Sequence, residues 1–497
     1  MTLEQAQRAE PFAAARRIRL ENWHWPLLAG LVACLLTQLA PGELIADGDT
    51  HLHIAMGRWI LAHHAIPFRD AFSFTFPGKE WVPHEWGGEL ILAAVYGVLG
   101  WGGVIAVTEL ALFASVAILT RFLLRYLVPR RAAIAASIAF TVAEPHILAR
   151  PHLLAFPVMV LWMSSIVAAR DEGRVPSLKL LPVMILWANL HAGFMIGLAF
   201  AGFLALEALI DARPGERIAV ARRWGVFLAL AGLSSLVSPN GIDVYVMTLK
   251  LVQMGSAMSM ISEWQAADFS GYQPIEIWLV AFLLVALSAG LRLKMTRTLM
   301  LLLLLHLTLT HVRNVELLGF ISPLLIAAPL AAQLRILEGT RDAFARDAAP
   351  TWRARAAAAA FIVFAFFATA ALYNRAGFRP SESVGPVSAL AAARAQGLTG
   401  PVLNNYNFGG YLIFSGVPVF IDGRADLFGD EFIRSYMLTQ HGQNEQGLPK
   451  LLERYAIQWT IFPPGSDVVP QLDRLSGWER AYTDKFAVIH RRMVTPS

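Results

Sequence analysis

Eleven stretches of this chain are so apolar, and so nearly free of charge, that they demand a membrane. They run over about 25–45, 102–124, 132–148, 153–169, 178–190, 192–210, 224–239, 274–291, 297–311, 315–334 and 355–373. A helix needs about 20 apolar residues to cross the hydrocarbon core, and inside it every backbone polar group must be satisfied within the helix. Only 15% of the 497 residues are charged, well under the quarter usual for soluble domains. The first stretch is too long for a signal-peptide core and reads as an uncleaved anchor. Its Cys34 is the chain's single cysteine, which rules out an internal disulfide and reads as packing.

The net charge of +5 does not point to nucleic acid, because the basic residues lie between the apolar stretches and alternate sides. One set of loops carries 23, among them Arg8, Arg121, Arg170, Arg213, Arg292, Lys294 and Arg341; the opposite set carries six: Arg58, Arg69, Lys79, Arg150, Lys250 and Arg313. Basic loops stay in the cytoplasm. That rule places residues 1–24 inside, the long loops 46–101 and 240–273 outside, and residues 374–497 outside as a separate domain. The segment 84–100 is too short to be counted as a span without inverting the charge pattern, so it is expected to lie in the outer interface. A second interfacial helix is expected at 50–64, where Leu52, Ala55, Met56, Trp59 and Ile60 share one face.

With that orientation, the polar residues collect at one side. The first outer loop reads Asp47-Gly48-Asp49-Thr50-His51-Leu52-His53, then His84-Glu85-Trp86. Later outer turns carry Glu144, His146, Arg150 and His152; Asn189 and His191; Glu263 and Trp264; and His311, Arg313 and Asn314. Polar side chains near the hydrocarbon boundary are costly and commonly face a shared cavity, so a common active or transport cavity is expected here. Asp47 and Asp49 form an Asp-x-Asp pair, which alone is a weak metal signal. A divalent cation, magnesium or manganese, bridging them to a phosphate stays open. Glu263 reads equally as a positioning carboxylate or as a salt-bridge partner of Arg150 or Arg313. The tryptophans read as interface anchors or as stacking surfaces for sugar.

The order of these elements resembles the integral-membrane GT-C glycosyltransferase superfamily. The likeness is carried by the first span, Asp-Gly-Asp-Thr-His opening an interfacial helix, Pro67-Phe68-Arg69-Asp70, His84-Glu85-Trp86 opening a second, and a basic turn at Arg121–Arg131. Many members have His-Pro-Pro where this chain has His-Glu-Trp, and Asp-Glu where it has Asp-Gly-Asp. The resemblance implies an all-α polytopic membrane domain over 25–373, with about 11 transmembrane helices and two interfacial helices in the first outer loop. It also implies a location in a bacterial inner membrane. The donor would be a sugar on a polyprenyl phosphate, transferred with inversion to a glycan, lipid or protein acceptor. The superfamily's acidic residue maps onto Asp49, with Asp47 second, as general base. Arg150 and Arg313, aided by His146, His152 and His311, would take the donor phosphate. His51, His53, His84, Glu85, Trp86, Asn189, His191, Glu263, Trp264 and Asn314 would line the substrate site.

From about Ser381 the composition turns to that of a small soluble α/β domain. Strands are expected at Val402-Leu403, Tyr411–Phe414, Val419–Ile421, Trp459–Phe462 and Ala487–His490, and helices at 389–396, 432–439 and 448–455. The motifs Asn404–Tyr411 and Asp422-Gly423-Arg424-Ala425-Asp426 read as turn-forming, ion-paired residues that hold this domain on the membrane face, with glycan contact as the alternative. No P-loop, dinucleotide fingerprint, His-Glu-x-x-His or Gly-x-Ser-x-Gly occurs, so these nucleotide-binding and hydrolase classes find no support. The competing functions are a transporter or flippase of lipid-linked sugars, and a non-catalytic subunit of cell-envelope glycan assembly.

Overall fold

The structure is a computed structural model that describes residues 23–40, 42–255, 258–334, 350–441, 443 and 447–493. The basic residues at 8–19 and 335–346 therefore lie outside the described residues. The first part of the chain is helical: α1 (His24–Thr37), α2 (Gly48–His63), α3 (Trp86–Leu123), α4 (Pro129–Ala143), α5 (Pro151–Asp171), α6 (Leu181–Leu190) and α7 (Phe194–Asp211). It continues with α8 (Arg217–Ser235), α9 (Asp243–Gln253), α10 (Pro274–Ala289), α11 (Met295–Thr310), α12 (Val315–Gln333) and α13 (Trp352–Arg375). Among the described residues six helices are long and apolar enough to cross a membrane. Shorter apolar helices at His24–Thr37, Leu178–Leu190, Pro274–Ala289 and Met295–Thr310, together with α4, fall on the other five expected spans. The chain is a multi-pass membrane protein.

One expectation needs correction in this part, and one helix is added. The first apolar stretch does not remain helical to Ile45; α1 stops at Thr37, where bonds from Leu39 and Ala40 to the carbonyls three residues back tighten its last turn. The long loop after α8 also holds a helix, α9, that hydropathy gave no reason to expect. The interfacial segment before Gly100 is helical as expected, but it joins the following span in a single helix, α3, broken at Gly100 (φ 59°, ψ −154°). Asn374, in the last span, repairs the break: its Oδ1 accepts from the Gly102 N–H at 2.9 Å and its Nδ2 donates to the Leu99 carbonyl at 2.6 Å.

One end of the bundle is held by ion pairs. Glu207 of α7 accepts from Thr296 Oγ1 (2.9 Å) and Arg297 Nε (3.2 Å), and Arg297 also pairs with Asp171. Arg170 and Lys294 share Asp211. These residues come from α5, α7 and α11, so the loops that the charge alternation assigns to one side do meet at one end.

At the other end sits a small α/β unit: α14 (Val387–Ala395), β1 (Val402–Asn404), α15 (Gly409–Phe414), α16 (Ala425–Phe428), α17 (Asp430–Gln440) and α18 (Gly447–Arg454), then β2 (Trp459–Phe462), α19 (Val468–Arg474), β3 (Trp478–Thr483) and β4 (Val488–Arg492). The sheet order is β1-β2-β4-β3, with β1 parallel to β2 and the other pairs antiparallel. Tyr411–Phe414 is helix, not strand. Its β-favouring side chains follow Gly409-Gly410, and the turn packs so tightly on α2 that a Cβ at residue 410 would fall 3.1 Å from the Leu52 nitrogen. Packing overrides propensity there. Val419–Ile421 is not a ladder strand either. It makes an isolated parallel bridge from Val419 to Ser73 and is held to β1 by the Asn404 side chain, which bonds Phe420 N and the Ile421 carbonyl.

The loop between α2 and α3 packs into this unit. Phe72, Phe74 and Phe76 pack against its apolar core, Thr75 Oγ1 donates to the Phe420 carbonyl, and Trp81 Nε1 donates to Asp426. The strongest tie is ionic. Arg424 bonds Asp422 through two nitrogens (2.8 and 2.7 Å) and Asp70 through a third (2.8 Å), with all three residues buried. Its guanidinium lies 5.3 Å from the Phe72 ring and 5.1 Å from that of Trp81.

Candidate functional site

The site forms where the N-termini of α2 and α5 meet. Asp47 is the residue that precedes α2 and Asp49 lies in its first turn, where the helix dipole favours negative charge. Arg150 precedes Pro151, which holds it extended (φ −121°, ψ 161°) at the start of α5. A backbone bond from Ala149 N to the Leu44 carbonyl (2.8 Å) fixes the two starts side by side. The Arg150 guanidinium then reaches three carboxylates. It grips both oxygens of Asp47, donates to Glu263 at 2.8 Å, and lies 3.3 Å from Asp49. Arg313 donates to the other Glu263 oxygen at 3.1 Å and stacks on Trp264, 4.4 Å from the ring centre. His311 is anchored by Nδ1 to the Trp264 carbonyl at 2.7 Å.

The three carboxylates are not equivalent. Burial pushes each one up, but Arg150 outweighs it at Asp47, which lies low, and Arg313 with Arg150 holds Glu263 at about 2. Asp49 receives less of Arg150 and feels Asp47, so burial wins and its carboxyl is raised to about 6. Asp49 is also the more open of the pair, its side chain 27% exposed against 12% for Asp47.

Beside this network lies a cavity of about 120 Å³. Arg150, His146, His152, His191, Glu263, Arg313, Asn314 and Glu316 give it a polar side, while Leu148, Phe156, Met159, Trp187, Ile196 and Leu317 give it an apolar wall among the membrane helices. His152 Nε2 lies 3.4 Å from Glu316. A second polar group adjoins: His53 Nδ1 is 3.3 Å from Glu89 and 3.8 Å from Glu85, whose other oxygen is 3.3 Å from His191.

The remaining residues singled out from the sequence sit elsewhere. His51 is boxed edge-on by Trp101, Tyr411 and Phe414 at 5.1–5.3 Å, and burial lowers its pKa to about 4, so it is a neutral packing residue. Asn189 bonds the carbonyls of Ile185 and Val237 and accepts from Trp86 Nε1, which ties helices together. His84 turns back to the Val82 carbonyl.

Four participants escaped the sequence reading. Glu89 stands in the first turn of α3, four residues after Glu85, which precedes that helix, and Glu316 is a charge opening an apolar span; both signals were present. Gly423 and Tyr406 come from the α/β unit and carry no local signal. A Cβ on Gly423 would fall 2.9 Å from Cγ of Asp49. The Tyr406 hydroxyl is pushed well up, first by burial and then by the charges of Asp49, Glu263 and Asp422.

No family model matches the chain and no curated protein matches it. Among solved structures, the crystal structure of ArnT from Cupriavidus metallidurans in the apo state aligns over 94% of this chain and 97% of that one, at 14% identity and a TM-score of 0.49.

Proposed function

We propose that this chain is a membrane glycosyltransferase that takes a sugar from a polyprenyl-phosphate donor. The observation that carries the reading is the pairing of an ionised Asp47 with a raised, more exposed Asp49 on one guanidinium, that of Arg150, which itself lines a largely apolar cavity with a polar side. Neighbouring carboxylates whose pKa values are pushed apart divide into structural and proton-transfer roles. A general base works best near the operating pH, which assigns that role to Asp49.

The chemistry then follows from the arrangement. Asp49 takes the proton of an acceptor hydroxyl as its oxygen attacks the anomeric carbon. The bond from that carbon to the phosphate oxygen breaks on the opposite face, so the anomeric centre inverts. The departing phosphate needs cation rather than acid. Arg313 suits it: one third exposed, its one described carboxylate partner is Glu263. Arg150 is already saturated by three carboxylates, and its first task is to hold Asp47 and Glu263 in place. The apolar wall formed by Phe156, Met159 and Leu317 suits a polyprenyl chain entering from the bilayer. The acceptor side would face the α/β unit, where Tyr406 stands.

The test is turnover of a panel of polyprenyl-phosphate sugars by the purified chain in nanodiscs, with Asp49→Asn as control. Transfer or hydrolysis by wild type and not by the variant supports the reading. Equal binding of lipid-linked sugar by both, with no turnover by either, would replace it with a transporter or accessory role.

A further inference from the structure

His53 of α2, Glu85 just before α3 and Glu89 in its first turn bring one nitrogen and two carboxylate oxygens together, all within 4.8 Å of one another. The spacing is close to that of a metal site, with one carboxylate at the right distance and the other about half an ångström too far. Ligands about 2.0–2.1 Å from a tetrahedral zinc stand roughly 3.3–3.4 Å apart, and His53 Nδ1 is 3.3 and 3.8 Å from the two carboxylates. A proton on Nδ1 does not explain the arrangement, because one N–H cannot align with both acceptors. Nor does it use Oε2 of Glu89, which is buried with no hydrogen-bond partner while the residue is 3% exposed. Buried carboxylate oxygens are rarely left bare.

The surroundings are those of a metal site. The second oxygen of Glu85 is 3.3 Å from His191 Nε2, the kind of outer partner that orients a metal-binding carboxylate. The backbone is set by packing: a Cβ on Gly57 would overlap the Glu89 carbonyl and the Ala93 side chain, so α2 and α3 touch directly one turn beyond His53. Two carboxylates balance a divalent charge, and a nitrogen–oxygen donor set without sulfur suits zinc over softer ions.

We propose that His53, Glu85 and Glu89 bind one zinc ion that pins α2 to the first turn of α3. His53 lies one helical turn from Asp49, so the metal fixes the helix that presents the carboxylate without touching that carboxylate. This differs from the Asp47–Asp49 pair, where the Arg150 guanidinium already bridges the two acids.

The experiment needs no knowledge of the reaction. The full chain in nanodiscs is stripped with chelator, then titrated with zinc and with cobalt(II), reading elemental stoichiometry, cobalt visible absorption and melting temperature. The wild type is expected to take up one equivalent per chain, with tetrahedral cobalt bands and a raised melting temperature. Glu89→Gln, nearly isosteric, and His53→Ala are each expected to weaken uptake about tenfold or more, while Asp49→Asn binds as wild type does. A folded wild type that takes up no stoichiometric metal overturns the proposal, and that arm decides even if a variant misfolds. Loss of the metal in Asp49→Asn but not in Glu89→Gln overturns it too.

Discussion

Gly423 lies flat against the carboxylate of Asp49: a Cβ built on it would sit 2.9 Å from Cγ and 3.0 Å from Oδ2. The neighbour is the tip of a flexible side chain, so in Gly423→Ala the carboxylate yields and the fold does not. Melting should change by less than about 1 kcal/mol, the usual range for tolerated substitutions, while sugar transfer falls by about tenfold or more through misplacement of the base. An alanine variant with full turnover would dissociate Asp49 from the chemistry.

Gly410→Ala meets a different obstacle. Its Cβ would strike the backbone of Gly48 and Leu52, which cannot move without shifting α2 against the α/β unit. Overpacking of this kind costs about 1–3 kcal/mol. Limited proteolysis should show the unit released more readily than in Gly423→Ala.

Asp49 should cost the protein stability. Its folded carboxyl is raised to about 6, so the ionised form is disfavoured in the folded state. The contribution of this group is therefore most favourable below the ordinary aspartate range and declines as pH rises from there through 6. Asp49→Asn removes the penalty and should raise stability at pH 7 by about 3 kcal/mol, with the gain vanishing below about pH 4. Turnover by the wild type should fall on acidification with an inflection near pH 6.

Glu263 has the opposite sign. Held at about 2 by Arg313 and Arg150 against the effect of burial, its contribution is fully present above the ordinary glutamate range and is lost as pH falls through 2. Denaturation followed from pH 6 down to 2 should show a shallower acid loss in Glu263→Gln than in wild type. Parallel curves would mean that the arginines do not reach it in solution.

Removing the Arg424 side chain strands two buried carboxylates, Asp70 and Asp422. Arg424→Met should destabilise the docking of the α/β unit by about 3–5 kcal/mol. Asp70→Asn, which leaves Arg424 its two bonds to Asp422, should cost less. The comparison is read by urea unfolding monitored at the tryptophans.

The membrane helices were legible because each apolar stretch carries its own signal and needs no partner to be recognised. Arg150, Glu263 and Arg313 were legible for a related reason: charge at the rim of a hydrocarbon layer is conspicuous. Their pairing was not, since it depends on how three helix ends meet. Tyr411–Phe414 misled because its side chains favour strand, and only the contact of Gly410 with Gly48 makes helix the better fit. Gly423 and Tyr406 were invisible as site residues for the same cause, being brought to Asp49 by packing rather than by sequence spacing.

The Arg424–Asp70 bond spans 354 residues of chain, and that separation has a temporal meaning. Ribosomes release Asp47, Asp49 and Asp70 long before the α/β unit. Through most of synthesis, α2 and the loop behind it lack the surface on which they fold, and the carboxylates lack Tyr406 and Gly423. The site is thus completed by polypeptide made long after α2, and a product cut short before the α/β unit, however well inserted, would be left without a finished centre.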